Sequence, residues 1–168
     1  FGDILLERGV FNLRTYQGDS TNNLSLFVKK FKKENPDSNK TFKMKSSSIV
    51  AEGIDFNLYN ENKREGPIVF YRNIHGVFDN FNIDGADVSA DIRDLRTVED
   101  HDVEVLNFSS RFRYTNTRME FVDTWLRTKG SELNADIYFD YEIGDLSDFT
   151  NRVQIDADFK QADIILSD

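Results

Sequence analysis

The segment 131–143 alternates between apolar and polar side chains over an unusual length. Its odd positions after Ser131 are apolar: Leu133, Ala135, Ile137, Phe139, Tyr141 and Ile143. Most of its even positions carry acidic or amide groups. Because successive side chains of a strand point to opposite faces, the segment has one apolar and one acidic face. It exceeds the about 5–6 residues typical of globular strands, so the pattern predicts a long strand whose apolar face needs shielding from water.

The same alternation recurs along most of the chain after residue 41. It predicts a mainly β fold, in which each strand repeats the same pattern of inward apolar and outward polar residues. The apolar positions that we expect to share one face are Val88, Ile92, Phe108, Phe112, Met119, Phe121, Leu133, Ala135, Ile137, Phe139, Tyr141, Val153, Ile155, Ala157 and Phe159.

Interruptions of the alternation predict where strands end or bend. Short polar links at 115–117 and 129–130 favour antiparallel neighbours. A change of phase near Leu106 predicts a bulge, and a second one at 160–161 predicts a turn or kink. His75-Gly76 is expected to separate two strands.

The first 40 residues have a different organisation. Short strands are predicted at 1–6 and 10–14, followed by one amphipathic helix near residues 22–33. The helix has a single apolar stripe formed by Leu24, Phe27, Val28 and Phe31. Such a stripe favours a helix that covers one end of the sheet over a membrane or partner anchor. We therefore expect one segment, 1–168, with a helix-containing part at 1–40 and a strand meander at 41–168.

Composition restricts the partners of the chain. The net charge of −9 argues against a nucleic-acid partner and against adhesion to anionic lipid headgroups, but it does not oppose contact with uncharged acyl chains. There is no Cys, so no disulfide or thiol chemistry is available. No apolar run reaches the ~18 residues of a membrane-spanning helix. The chain begins in mid-pattern without Met, and we expect it to be a segment of a larger protein.

Signals for catalysis or metal binding are weak. His101 lies in the acidic loop 99–102, but ligands so close in sequence rarely complete a coordination sphere. Residues 84–87 lack the acidic spacing of a calcium loop, and Asp87 is better explained as the first outward residue of a strand. Trp125 is expected to pack in the core beside Val122 and Leu126 rather than to stack on a sugar. We expect no enzyme, no cofactor and no metal.

Several stretches resemble one known family. They are 83–92 (IDGADVSADI), 112–120 (FRYTNTRME), 126–133 (LRTKGSEL) and 146–149 (LSDF), with GVFNL at 9–13 upstream. This set resembles the TamB family, the translocation and assembly module proteins of the AsmA-like group, and is most similar to its Bacteroidota-type branch. The resemblance covers most of the chain, although its motifs are patterns rather than catalytic signatures.

The resemblance implies a long periplasmic protein that is anchored in the inner membrane and reaches toward the outer membrane. Its fold would be an elongated antiparallel sheet curled into a U-shaped trough, a β-taco, lined by the apolar strand positions. The implied function is phospholipid transport between the membranes and support of outer-membrane protein assembly in the cell envelope. The implied partners are phospholipid acyl chains and, through parts of the parent outside this segment, an Omp85-type outer-membrane protein.

Alternation by itself leaves other architectures open. A closed β-sandwich that binds a protein or a glycan by its loops would show the same pattern, because an inward apolar face looks identical against lipid and against a second sheet. A structural spacer, or a donor of edge strands to a nascent outer-membrane barrel, is a third possibility.

Overall fold

Nine strands form one open, curled sheet in the computed structural model, which describes residues 2–24, 26, 42–63, 66–99, 103–142 and 149–164. The strands are β1 Ile4–Glu7, β2 Val10–Thr15, β3 Lys43–Asn60, β4 Pro67–Asp84, β5 Asp87–Glu99, β6 Glu104–Tyr114, β7 Arg118–Thr128, β8 Ser131–Asp140 and β9 Gln154–Ile164. A single helical turn, α1 Phe149–Arg152, precedes β9. The mainly β prediction is confirmed, and the described strands do not divide into the two sheets of a closed sandwich.

The strands from β3 to β9 form an antiparallel meander in sequence order. The expectation of a wholly antiparallel sheet is wrong at the N-terminal edge, where β1 and β2 lie end to end along β3 and both run parallel to it. A parallel connection needs a dozen or more residues, and the 27 positions from 16 to 42 between β2 and β3 exceed that length.

The predicted links between neighbouring strands are confirmed. Residues 115–117 join β6 to β7, and the Thr115 amide donates to the Arg118 carbonyl at 2.8 Å. Residues 129–130 join β7 to β8, with the Ser131 amide donating to Thr128 Oγ1. Asp87 is the first residue of β5, directly after the turn.

The separation of two strands at His75-Gly76 is wrong, because both residues lie inside the continuous strand β4. Gly76 has a spatial role there instead of ending a strand. A Cβ atom at this position would lie 3.0 Å from Leu95 Cα of β5, closer than ordinary packing allows. Glycine therefore lets two central strands approach each other.

Both predicted phase changes are real. In β6, Val105 and Asn107 stand opposite the adjacent residues Thr128 and Arg127, which leaves Leu106 as an extra residue and confirms the bulge. In β9, Phe159 and Gln161 face adjacent residues of β8, so Lys160 is an extra residue as well. This second irregularity is a bulge within one strand, since β9 continues beyond it.

Further bulges interrupt the sheet, two of them in β4 at Asn73 and Asn80. Three others lie at a similar height on alternate strands. They are centred on Gly53 in β3, Asp94 in β5 and Asp123 in β7, where φ is +65°, +52° and +51°. Glycine adopts this left-handed conformation freely, and aspartate is among the few other residues that tolerate it. With Lys160 in β9, these positions form a line of bulges across the sheet. Bulges bend a strand and increase its twist, which accounts for the curl.

The helix predicted near residues 22–33 is not confirmed. Asn23, Leu24 and Leu26 have helical geometry, and the Leu26 amide donates to the Asn22 carbonyl at 3.1 Å. Ser25 and residues 27–41, which carry most of the predicted stripe, lie outside the described residues. Within the described ranges, no helix combines the length and apolar character required to cross a membrane.

Candidate functional site

Strand pairing brings the predicted apolar residues together on one face of the sheet. Residues paired across neighbouring strands share a face, so a chain of pairs traces a row. One continuous row crosses from β3 to β9 through Met44, Ile83, Val88, Tyr114, Met119, Phe139 and Ile155. A second row runs through Ala90, Phe112, Phe121, Ile137 and Ala157.

Two more rows complete this surface, which we call the apolar face. The third contains Ile4, Ile49, Phe78, Ile92 and Ser110, and continues through Thr124, Ala135 and Phe159. The fourth contains Leu95, Phe108, Leu126, Leu133 and Ala162. None of these four rows contains a charged residue. At 4.7–4.9 Å between strands, the first row is about 30 Å long.

The rows contain thirteen of the fifteen candidate residues, and the other two lie at strand ends. Val153 precedes β9 and is half-buried. Tyr141 follows β8 and is buried. Its hydroxyl donates to the Thr115 carbonyl at 2.8 Å, and its ring stacks on Tyr114. Desolvation raises the pKa of the Tyr141 hydroxyl well above its usual range. Tyr141 therefore holds the link between β6 and β7 rather than presenting an open surface.

Aromatic rings form the centre of the apolar face. The Phe121 ring contacts Phe112 at a centroid distance of 5.1 Å, Phe108 at 6.0 Å and Phe139 at 6.1 Å. Two of these contacts are edge-to-face, an arrangement that aromatic pairs prefer. These ring contacts join β6, β7 and β8, and the pairing of Phe112 with Ala90 connects this group to β5.

Small residues lie in the third row, beside the line of bulges. Ala135 is 0% exposed and Thr124 is 1% exposed, although neither is covered by a second sheet in the described structure. The Ser110 hydroxyl lies 3.0 Å from Thr124 Oγ1 and 3.2 Å from the Val122 carbonyl oxygen, so the buried hydroxyls have partners. The second and fourth rows, on either side of these small residues, carry larger apolar side chains such as Phe121 and Leu126.

The Phe side chains of the apolar face remain partly open to solvent, whereas Ile49 and Ile92 of the third row are buried. None of the Phe side chains in the described part of the chain is buried, and those of Phe11 and Phe159 are exposed. Phe is among the residues most often buried in globular proteins, so this distribution is not that of a closed core. The apolar face therefore combines buried residues of the third row with Phe side chains that remain partly accessible to solvent.

Trp125 lies on the opposite, polar face, so the expectation of core packing beside Leu126 is wrong. It pairs with Ser109 and Asn134, and its indole N–H donates to Glu132 Oε1 at 3.1 Å. Trp125 lies on the polar face because the bulge at Asp123 shifts the alternation by one residue along β7. The sequence signal for this bulge is an aspartate in the middle of an otherwise apolar run.

Charged pairs organise the polar face. Asp79 pairs with Arg93, Arg118 with Asp140, and Lys160 bridges Asp123 and Asp136 at 3.0 and 3.1 Å. Hydrogen bonds from Lys160 and then from Arg111 hold the pKa of the Asp123 carboxyl below its usual range. These pairs lie at the exposed or half-exposed surface, where solvent screening keeps the contribution of each pair to stability small.

The described residues offer no arrangement for metal chemistry. No group of three or more His or acidic residues that could hold a metal ion occurs in that part of the chain. His75 is engaged with Asn73 at 2.9 Å, and Asp84 pairs with Lys43 at 2.7 Å. His101 lies outside the described residues.

Comparison of this chain with protein-family models, curated proteins and solved structures gives no match.

Proposed function

We propose that this chain is a segment of a lipid conduit, in which phospholipid acyl chains lie along the apolar face. The finer architecture that we propose is a U-shaped, β-taco-like trough with this face inside. The line of bulges supports it, because a bend at Gly53, Asp94, Asp123 and Lys160 would fold each of these strands at a similar height. The small residues Ser110, Thr124 and Ala135 leave room for such a bend.

The single observation that carries the proposal is the partial exposure of every described Phe on a continuous apolar face. An exposed apolar patch of this kind marks a site for an apolar partner. The face is about 30 Å long, comparable with the hydrocarbon thickness of a bilayer, which is two acyl chains end to end. Each methylene removed from water gains about 0.8 kcal/mol, so contact along the rows supplies substantial affinity without any polar recognition.

The resemblance to the TamB family extends this proposal to its setting. The parent protein would be anchored in the inner membrane and would span the periplasm, with an Omp85-type partner contacted by other parts of the parent. The segment would support phospholipid transport and outer-membrane protein assembly. It would act without catalytic residues, metal or cofactor, because a trough requires only a shaped apolar surface.

Lipid binding to the purified segment tests the proposal. Native mass spectrometry and solvent extraction are expected to find phospholipid bound to the wild-type chain, and protein that is consistently free of lipid would contradict the conduit. Phe139→Asp places a charge on the apolar face and is expected to abolish binding with a modest loss of stability.

Tyr138→Asp is the matched control, since it introduces the same residue at the adjacent position on the polar face. It is expected to retain lipid binding. If Phe139→Asp fails to fold, as a sealed core would require, Phe159→Asp at the exposed end of the third row provides the second test. Equal lipid binding by wild type, Phe159→Asp and Tyr138→Asp would overturn the assignment of the apolar face.

A further inference from the structure

The outer edge of β2 is occupied by a side chain from the segment that follows this strand. The carbonyls of Gly9 and Thr15 accept amide hydrogens from the β3 side. Because backbone groups alternate in direction along a strand, Asn12 and Arg14 turn theirs outward, away from β3. Both are bound by Asn23: its Nδ2 donates to the Asn12 carbonyl at 2.9 Å, and its Oδ1 accepts from the Arg14 amide at 3.0 Å.

This pair of bonds reproduces the bonding of a neighbouring strand. In a parallel ladder, one residue donates to the carbonyl before its partner and accepts from the amide after it. The Asn23 amide does the same around Leu13, because an amide side chain carries both a donor and an acceptor. Its Oδ1 also accepts from the Leu24 amide at 3.1 Å. The outward groups of Asn12 and Arg14 are therefore closed to another strand, whatever chain precedes residue 1.

The turn that carries Asn23 back to β2 is held by a residue after β3. The Asp19 amide donates to the Tyr16 carbonyl at 3.0 Å and closes the turn. Asn62 accepts from the Gly18 amide at 2.7 Å and donates to the Asp19 carbonyl at 2.9 Å. These bonds fix the start of the segment, so that Asn23 lies beside the edge it binds.

The strand β2 itself has few of the features that usually protect an edge. Its sequence, VFNLRT, contains no Pro and no Lys. Its one charged residue, Arg14, is paired with Glu61 at 2.9 Å. Val10 and Phe11, which lie on opposite faces, are 59% and 52% exposed. Because an apolar, weakly charged edge is prone to pair with another chain, protection here falls to the Asn23 side chain.

We propose that Asn23 is an edge plug, which prevents the β2 edges of two copies of this chain from pairing with each other. A second copy fits this edge because the edge is complementary to itself. With the strands antiparallel about a two-fold axis at Leu13, Asn12 of each copy faces Arg14 of the other. The backbone groups that Asn23 binds would then bind one another. In this register the two Arg14 side chains do not stand opposite each other, and the exposed apolar side chains of β2 gain a neighbouring strand.

Asn23→Ala removes the plug, and sedimentation of the variant measures the result. We expect a fraction of dimer that exceeds that of the wild type and rises with protein concentration. Added salt should raise it further, since salt screens the repulsion between two copies of net charge −9. Asn57→Ala is the matched control: it removes an amide that binds the side chain of Asn12 rather than the β2 edge, and should sediment like the wild type. Equal dimer fractions in Asn23→Ala and wild type would overturn the proposal.

A disulfide trap identifies the edge that pairs. The chain has no Cys, so Leu13→Cys added to Asn23→Ala places a single thiol at the proposed two-fold axis. Directly opposed residues that do not bond each other lie about 4.5 Å apart between Cα atoms, a spacing that a disulfide can bridge. Oxidation should give covalent dimers of this double variant, and far fewer of Leu13→Cys with Asn23 intact. Dimers of Asn23→Ala without this crosslink would overturn the proposal in favour of another edge.

Two further measurements separate pairing at this edge from a general loss of folding. Asn12→Pro added to Asn23→Ala removes an outward N–H group, as Pro does on natural strand edges, and should return the dimer fraction to that of the wild type. In dilute Asn23→Ala the Arg14 amide should exchange its hydrogen faster than in the wild type, because its acceptor is gone. Unchanged exchange, or dimers that persist with Pro, would overturn the proposal. No lipid is present in these experiments, so their failure would leave the proposed conduit untouched.

Discussion

Ile54 in β3 and Ile155 in β9 are the same residue type in the same sheet, but Ile54 is 6% exposed and Ile155 is 57% exposed. Ile54 has β4 on one side, and on the other its Cδ1 atom lies 3.4 Å from the Cβ position of Gly9, between β1 and β2. Ile155 has a neighbour only on the β8 side. Among the described residues, the difference shows that cover for these side chains comes from neighbouring strands of the same sheet.

The largest expected effect is a direct test of this contrast. Ile54→Ala should destabilise the protein by about 2–4 kcal/mol, because it opens a cavity among covered side chains. Ile155→Ala should cost less than about 1 kcal/mol, since the side chain is already largely in water. Urea denaturation of both variants measures the difference. Equal losses would mean that β9 is covered in solution.

The close approach of β4 and β5 gives the next effect. Gly76→Ala should destabilise by about 1–3 kcal/mol, because the added methyl group meets Leu95 backbone at 3.0 Å and the strands must separate. Gly2→Ala is the control, since a methyl group there has no atom within 4 Å. Thermal melts of the two variants should differ clearly, and similar melting temperatures would contradict the strand spacing.

The buried hydroxyl pair of the third row gives a smaller effect. Ser110→Ala or Thr124→Val alone should each cost about 1 kcal/mol, because each leaves a buried polar partner with fewer hydrogen bonds. The double variant should lose less than the sum of the single losses. A double-mutant cycle from urea unfolding measures the coupling, and strictly additive losses would show that the two hydroxyls do not interact.

The smallest effect concerns pH and the polar face. The pKa of the Asp123 carboxyl is lowered in the folded protein, so its contribution to stability is present above the unfolded value near 4 and is lost as pH falls through the folded pKa. Lys160→Gln removes the main cause, and should make the loss of thermal stability below pH 4 less steep. Lys43→Gln is the charge-matched control. If both variants lose thermal stability equally steeply below pH 4, Lys160 is not the main cause of the lowered Asp123 pKa.

Much of the sheet could be predicted from local patterns. Alternation in 131–143 identified β8 and its two faces, because a strand repeats every two residues whatever surrounds it. The phase change at Leu106 predicted a bulge by the same logic, and the short link at 115–117 predicted an antiparallel neighbour. Of the candidate residues, thirteen lie in the rows of one face, although their role in binding lipid stays a prediction.

Other features depended on distant parts of the chain. The strand β4 runs through His75-Gly76, where the close approach of Leu95 from β5 leaves no room for a side chain, and no local signal in the sequence reports that contact. Asp94 and Asp123 interrupt β5 and β7 in a left-handed conformation, which moved Trp125 to the polar face. The parallel pairing of β1 and β2 with β3 also joins residues 45 positions apart, such as Ile4 with Ile49.

The sequence by itself therefore determined that this chain is a series of two-faced strands, and which side of most strands is apolar. That information is local, since it follows from the geometry of one extended backbone. Only the tertiary structure decided how the strands align, where they bend, and that the aromatic side chains of the described sheet stay partly exposed. These outcomes follow from pairing between strands and from close backbone contacts, which a single strand does not encode.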